Sequence, residues 1–164
     1  MTTQEREAAL DNDPTNPCFG CGPNNPRGLR LSFRRAGDRV ETTLIAHATM
    51  EGWPGRLHSG VLYVAMLEVA NWTVFGLTGR IGVPTRTGAP KTASWVPTGT
   101  RLRIAGRVTS KSENGVNVIV EVFDPEERLV SSLDRDFILP NRREFLERMG
   151  YAEIPDVFAG LIPE

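Results

Sequence analysis

Cysteine and histidine are scarce in this chain, which has only two of each among its 164 residues. The net charge is −1, so overall charge gives no support for binding to nucleic acid or to an acidic membrane surface. No uninterrupted apolar run approaches the roughly 20 residues that a membrane-spanning helix needs, and the polar N-terminus lacks the apolar stretch of a signal peptide. We therefore expect a cytoplasmic protein that binds neither nucleic acid nor a membrane.

The two cysteines, Cys18 and Cys21, have the Cys-x-x-Cys spacing found in zinc and redox sites. A structural zinc ion needs four ligands, and the only histidines, His47 and His58, are distant from the pair in the sequence. A redox pair is expected at the start of a helix, whereas nearby prolines favour a loop here. We predict two reduced thiols in a structured loop, with no metal and no cofactor.

Length and composition fit a single globular domain with a full core, since 40% of the residues are hydrophobic. No repeat or linker divides the chain. We predict a frayed or weakly helical lead-in at 1–17, the folded domain at 18–140, and a short helix with a tail at 141–164. Asn141 is the expected N-cap of that helix, and Gly150 its terminator.

Strand-like stretches surround one helical segment. The predicted strands are residues 29–33, 40–48, 91–96, 101–110, 116–123 and 128–139. The stretches are separated by turn-forming residues, and Asn114-Gly115 is typical of a type I′ hairpin turn. Two strands, one helix and four further strands predict an α+β fold, in which a curved antiparallel sheet wraps around one long buried helix.

The central helix is predicted over residues 59–75, with Gly76 and Gly79 as stop signals. Its apolar residues cover nearly the whole circumference instead of one stripe. A helix of this kind is a buried one. Because one sheet does not cover so much apolar surface, we expect a second subunit to cover the remainder.

His58, Ser59 and Gly60 open this helix, and backbone N–H groups in a first helical turn have no partner within the helix. Together with the helix dipole, they favour a carbonyl oxygen that is becoming an oxyanion. Gly60 permits close approach to the backbone because it has no Cβ. The alternative is an ordinary capped helix start in which His58 packs locally.

Glu68 and Asn71 are the strongly polar residues of the central helix. A buried carboxylate is costly unless it has a partner, and burial raises its pKa toward the range of a general base. The i, i+3 spacing places both side chains on one side of the helix, so we expect Asn71 to hydrogen-bond Glu68. In the alternative interpretation, Glu68 reaches solvent at a subunit rim or pairs with an arginine.

Three segments resemble the motifs of hot-dog-fold acyl-CoA thioesterases of the phenylacetate-degradation type. They are the Cys-x-x-Cys segment 18–29, the loop 52–60 that leads into the helix, and the segment 91–99 that ends in a Pro-x-x-Gly-like turn. The resemblance covers residues 18–139 in matching order. It implies a hot-dog fold, an acyl-CoA-type substrate, a homodimer or dimer of dimers, and sites at the subunit interface.

The sequence departs from the family pattern at two positions. The family has His-Gly-Gly at the helix start, where this chain has Ser59 in second place. The helix acid expected nine residues after the histidine falls on Leu67, and Glu68 is the next residue, turned by about 100° around the helix. Either Glu68 has taken over the catalytic role, or the acid is lost.

Further residues are candidates for substrate contacts. Ser59 lies at the proposed carbonyl site, Trp53, Tyr63 and Trp72 are candidates for the acyl pocket, and Thr92 and Ser94 for placing water. Basic residues that are candidates for phosphate contacts are Arg56, Arg80, Arg86 and Lys91.

The main hypothesis is hydrolysis of an acyl-CoA-like thioester. In this hypothesis the N–H of Gly60, with His58, polarises the carbonyl, Glu68 activates water, and Asn71 orients it. Leu67 at the expected acid position favours an alternative, a catalytically silent protein that binds acyl-CoA or another apolar acid. A third hypothesis is a dehydratase or isomerase acting on acyl thioesters, for which the sequence offers no clear His–Asp pair.

Overall fold

The computed structural model describes residues 7–164, so the first part of the predicted lead-in lies outside the described residues. The strands are β1 Glu7–Leu10, β2 Phe33–Ala36, β3 Arg39–Ile45, β4 Val83–Thr87, β5 Lys91–Thr92, β6 Arg101–Lys111, β7 Gly115–Phe123 and β8 Leu129–Ile138. The helices are α1 Ser59–Thr78 and α2 Arg142–Met149, with short 3₁₀ turns at Ala48–Met50 and Asp156–Phe158.

All eight strands form one antiparallel sheet in the order β1-β2-β3-β6-β7-β8-β4. β5 pairs with β8 as well, next to β4, so these two short strands share one edge of the sheet. The sheet curves around α1, which contacts β2, β3, β6 and β7. The predicted α+β architecture, a curved antiparallel sheet around one long helix, is confirmed.

α1 packs its small and aliphatic side chains into the sheet. Its buried residues are Leu62, Ala65, Met66, Val69, Ala70, Thr73 and Val74. The approach to β6 is close, because a Cβ on Gly106 would lie 2.0 Å from Oγ1 of Thr73. The helix continues through Gly76 and ends at Gly79, whose φ of 70° is the left-handed conformation that glycine adopts without strain.

By length and composition alone, α1 is apolar enough to cross a membrane. The core helix of a soluble protein passes the same test, and the buried side chains of α1 belong to the hydrophobic core that the sheet encloses. This enclosure supports the interpretation of α1 as a core helix.

Two predicted strands are shorter than expected. The stretch 29–33 contributes only Phe33 to a strand, because Arg30 has a φ of 51°, and this left-handed backbone interrupts extended structure. Of the stretch 91–96, only Lys91 and Thr92 form a strand. The N–H of Ala93 still donates to the carbonyl of Val130 on β8. The chain then leaves β8, and the carbonyl of Val96 accepts a hydrogen bond from the N–H of Leu57.

Two strands were not predicted. Residues 7–10, expected to be frayed or weakly helical, pair with β2 as β1. β4 lies between Gly79 and Pro90, where the sequence predicts no strand, and it contains Pro84. Proline is tolerated there because β4 is an edge strand with a register shift next to that residue.

The ends of the other elements follow their sequence signals with one exception. Asn141 caps α2 through a capping box with Glu144, and Gly150 ends the helix in the left-handed conformation, as predicted. β6 and β7 form the predicted hairpin. Neither Asn114 nor Gly115 has a positive φ, so the type I′ turn is not formed.

Candidate active site

A cavity of about 390 Å³ lies beside α1. The side chains that matter for its chemistry are Cys18, Cys21, Glu68, Asn71, Trp72 and Arg135, all of which line it. They come from the loop after β1, from α1 and from β8, segments that are far apart in sequence. The 3₁₀ turn near the C-terminus closes another side of the cavity.

Glu68 is the carboxyl group that α1 contributes to this cavity, which the acidic residues Asp11 and Asp13 also line. Burial raises the pKa of Glu68 to about 7, because desolvation disfavours the charged form, and the neighbouring Cys18 adds to the rise. Hydrogen bonding by Cys21 and the positive charge of Arg135 act in the opposite direction. A carboxyl group with this pKa exchanges a proton near neutral pH, as a general base does.

The Cys-x-x-Cys loop packs directly on Glu68, a contact that the sequence analysis did not predict. The Cys18 sulfur lies 3.7 Å from Oε1 of Glu68. A hydrogen bond from the Cys21 thiol lowers the pKa of Cys18 to about 5, assisted by the backbone N–H groups of Cys21 and Gly20. The same hydrogen bond and burial raise the pKa of Cys21. The loop is structured and its cysteines are free thiols, as predicted.

The expected hydrogen bond between Asn71 and Glu68 is not formed. The side-chain oxygen of Asn71 instead accepts a hydrogen bond of 3.1 Å from Arg135 on β8, which also donates to the backbone carbonyl of Leu67 at 3.4 Å. The guanidinium bridges two positions one turn apart on α1, and Asn71 therefore positions Arg135.

Arg135 is the residue of this site that the sequence analysis missed. Its charge lies 5.2 Å from the ring centre of Phe137, and desolvation lowers its pKa. Within the described part of the chain, its buried Nε has no hydrogen-bond partner. The sequence does contain a pattern that predicts the inward position of Arg135. Along β8 it stands two residues from both Leu133 and Phe137, so the three side chains share the inward face of the sheet.

The start of α1 lines a second cavity, of about 360 Å³, together with Phe19, Met50 and Val64. His58 is the N-cap, and its Nδ1 accepts a hydrogen bond of 2.9 Å from the N–H of Gly60. The N–H that the sequence analysis left open for a substrate therefore has a partner. Because Nδ1 accepts, the proton of neutral His58 is on Nε2, which is then a donor.

Glu68 and the helix start belong to different cavities. Eight residues separate Gly60 from Glu68, which corresponds to about 12 Å along a helix axis. A general base acts over roughly 3 Å, or through one water molecule. The rise along the axis is therefore about four times this reach.

The other predicted contact residues are spread over the surface and the core. Trp53 is 70% exposed, and Ser59 and Ser94 are exposed as well. Trp72 lines the Glu68 cavity and stacks on Phe33 with ring centres 4.8 Å apart.

Two further candidates have neighbours within the fold. Tyr63 packs against the core and interacts electrostatically with Arg135. The Thr92 hydroxyl lies 3.3 Å from that of Ser131. Of all the predicted substrate contacts, only Trp72 lies at the Glu68 cavity.

Two of the four predicted phosphate-binding residues are engaged within the chain. Arg80 donates to the backbone carbonyls of Leu139 and Pro140. Arg86 forms salt bridges with Asp134 and Asp136. Arg56 and Lys91 are exposed. Phosphate binding by Arg80 or Arg86 requires these contacts to break.

No model of a known protein family matches this chain, and neither does any curated protein. Several solved structures, however, match this chain. A thioesterase superfamily protein aligns with a TM-score of 0.66 and 17% identity, over 76% of this chain and 60% of that one. The Escherichia coli PaaI protein of the phenylacetic acid degradation operon aligns with a TM-score of 0.63 and 12% identity, over 69% and 81% of the two chains.

A hypothetical thioesterase from Streptococcus pneumoniae, solved with coenzyme A, aligns with a TM-score of 0.58 and 17% identity, over 63% of this chain and 79% of that one. These similarities show that the chain has the hot-dog fold of thioesterase superfamily proteins, as the sequence motifs predicted. This chain spans 60% of the length of the first of these proteins.

Proposed function

We propose that the protein hydrolyses an acyl-CoA-like thioester and that Glu68 is the general base. The observation that carries this proposal is a half-buried carboxyl group in a cavity that the Trp72 ring and the Arg135 guanidinium also line. Its pKa of about 7 means that a substantial fraction is ionised at neutral pH and accepts a proton from water. Similarity to a thioesterase structure that contains coenzyme A supports this substrate class.

The thioester carbonyl is assigned to the start of α1. His58 donates from Nε2 to the carbonyl oxygen, and the helix dipole favours the negative charge that develops there. Gly60 has a positioning role in this mechanism, since its N–H fixes the His58 ring through Nδ1. Ser59 lies between these two residues in the sequence and is exposed.

A complete site requires two copies of the chain, because the helix start and Glu68 are about 12 Å apart along one helix. We assign His58 from one protomer and Glu68 from its partner to the same thioester in a homodimer. Partly buried apolar residues on α1, such as Val61, Val64 and Leu67, provide surface for that contact. A two-fold axis brings each helix start next to the other protomer's helix and forms two equivalent sites.

The test is hydrolysis of a panel of short, long and aromatic acyl-CoAs by protein kept free of metal ions with a chelator. The loss of thioester absorbance is the readout, because a thiol reagent would also react with Cys18. We expect turnover by the wild type and a decrease of about 100-fold or more in Glu68→Gln. Glu113→Gln, at an exposed glutamate in the β6–β7 loop, is the matched control. Full activity of Glu68→Gln refutes the mechanism.

Leu67 favours a second candidate, a catalytically silent protein that binds an acyl thioester. The side chain at this position packs against the core and has no acid–base chemistry. Saturable acyl-CoA binding by calorimetry, with no loss of thioester on the whole panel, favours this candidate over the hydrolase.

A further inference from the structure

Cys18, Cys21 and Glu68 bring three potential metal-ligand atoms within 4.8 Å of one another. They come from two separate parts of the fold, the loop after β1 and the middle of α1. The sequence predicts no metal site, since it contains no second pair of cysteines. From this geometry we infer that the three side chains bind a divalent zinc ion, with two thiolates and one carboxylate as ligands.

The distances suit one tetrahedral ion. With Zn–S near 2.3 Å and Zn–O near 2.1 Å, a sulfur and an oxygen ligand are about 3.6 Å apart. Sγ of Cys18 and Oε1 of Glu68 are 3.7 Å apart before any metal is bound. Glycine at residue 20 permits this close approach, since a Cβ there would lie 2.2 Å from Cγ of Glu68.

The loop also supports thiolate ligands. Backbone N–H groups of Gly20 and Cys21 hydrogen-bond the Cys18 sulfur and favour its negative charge. The Asn16 side chain donates to Sγ of Cys21 at 3.7 Å and accepts from the N–H of Cys18 at 2.9 Å. Asn12 holds the loop from the other side by donating to the carbonyl of Cys21 at 2.7 Å. Partners of this kind orient metal ligands.

Charge and ligand type select the ion. Two thiolates and a carboxylate place three negative charges in a half-buried site, where the one cation with a resolved effect on Glu68 is Arg135. Sulfur ligands favour zinc over magnesium or calcium, which take oxygen ligands. All three side chains line the 390 Å³ cavity, so a fourth coordination position faces space that holds a water molecule or a ligand.

The inference does not depend on thioester hydrolysis, because metal binding is measured without substrate. Metal binding occupies the carboxylate that the proposed base mechanism uses. We therefore expect hydrolysis by a free Glu68 from metal-free protein only, which is why the activity assay includes a chelator.

Cobalt(II) is the probe, added to metal-free protein kept reduced by a phosphine. We expect one Co²⁺ per chain, a thiolate-to-metal absorbance band in the near ultraviolet, visible bands of a tetrahedral ion, and loss of all bands when Zn²⁺ is added. Proton release on binding is a second readout, because the metal displaces the proton of the Cys21 thiol into solution.

Cys18→Ser and Cys21→Ser should each lose intensity in the thiolate band. Glu68→Gln should bind Co²⁺ and Zn²⁺ at least about tenfold more weakly, since even outer-shell changes have effects of this size. Glu113→Gln is the matched control and should bind like the wild type. Circular dichroism verifies that each variant is folded.

A wild type that shows no thiolate band at saturating Co²⁺ refutes the site, and so does a band that survives Cys21→Ser unchanged. The wild-type measurement decides the question even if a cysteine variant does not fold. If no metal binds, the predicted hydrolysis by metal-free protein and its dependence on Glu68 are unaffected. The metal site and the hydrolase mechanism can therefore be refuted independently of each other.

Discussion

Arg135 on β8 donates a hydrogen bond of 3.1 Å to the side-chain oxygen of Asn71 on α1, and this contact ties the helix to the sheet beside Glu68. The guanidinium is desolvated, and its positive charge lowers the pKa of Glu68. It therefore favours the ionised carboxylate that acts as a base. Arg135 therefore influences the chemistry of Glu68 through its charge and not through a hydrogen bond.

Replacing Arg135 by methionine should separate the electrostatic role from packing. Met keeps an unbranched apolar stem near Phe137, and the desolvation cost of the guanidinium offsets its contacts, so we expect stability to change by less than about 1 kcal/mol. Hydrolysis by metal-free protein should fall about twofold, because Glu68 without this charge is more often protonated at neutral pH. Urea unfolding and the thioester absorbance assay measure the two effects.

Arg107→Met is the control for loss of an arginine elsewhere on the sheet, since Arg107 pairs with Glu121 on the neighbouring strand. It should leave hydrolysis unchanged. A large loss of stability in Arg135→Met with normal hydrolysis would assign Arg135 a purely structural role.

Glu68 should make the stability of the metal-free protein depend on pH. Its pKa is raised from 4.5 to about 7, so between these values the folded chain holds a proton that the unfolded chain has released. The stabilisation is fully present below about pH 4.5 and is lost as the pH rises through about 7. Glu68→Gln does not titrate, so its stability relative to wild type should improve by up to about 3 kcal/mol from pH 4.5 to 8.

Urea unfolding of both proteins across this pH range, in the presence of a chelator, measures the difference. Titration of groups that do not interact with Glu68 cancels because they are common to both proteins, whereas Cys18 and Cys21 interact with this carboxyl group and contribute to the difference. Glu113→Gln should show a constant difference from wild type. A constant difference for Glu68→Gln as well would mean that burial does not shift this carboxyl group.

The contact between Gly20 and Glu68 should appear as a coupling in stability. Gly20→Ala places a Cβ 2.2 Å from Cγ of Glu68, and we expect a destabilisation of about 1–3 kcal/mol from overpacking. In a Glu68→Ala background Cγ is absent, and the same substitution should cost less than about 1 kcal/mol. Thermal or urea unfolding of the four proteins measures this cycle, and equal costs in both backgrounds would show that the loop does not rest on Glu68.

The sequence predicts those parts of the fold that local pattern determines. α1 was found from its length and continuous apolar content, and β6 to β8 from alternation between turn formers. The predictions fail where long-range contacts determine the local structure. Arg30 interrupts extended structure because its backbone is left-handed, a conformation that its residue type does not predict. Pro84 is part of a strand because that strand lies at the edge of the sheet.

The candidate site was predicted in part for the same reason. Glu68 is conspicuous from sequence, since a carboxyl group in an apolar helix needs an explanation. Its neighbours come from 50 residues earlier and 67 residues later in the chain, and only the fold brings them together. The Cys-x-x-Cys spacing is visible in the sequence, but spacing alone does not indicate that a helix residue supplies a third ligand atom.

The assignment of one thioester site to two protomers makes a prediction for mixed dimers. His58→Ala removes the carbonyl donor and Glu68→Gln removes the base, so each variant alone should be inactive. When equal amounts are unfolded and refolded together, about half of the dimers contain one protomer of each kind. Such a dimer has one site with the intact Glu68 of one chain and the intact His58 of the other, and one site with neither. We expect about a quarter of the wild-type hydrolysis to return. If both groups acted within a single protomer, every site in the mixture would lack one of them and no activity would return.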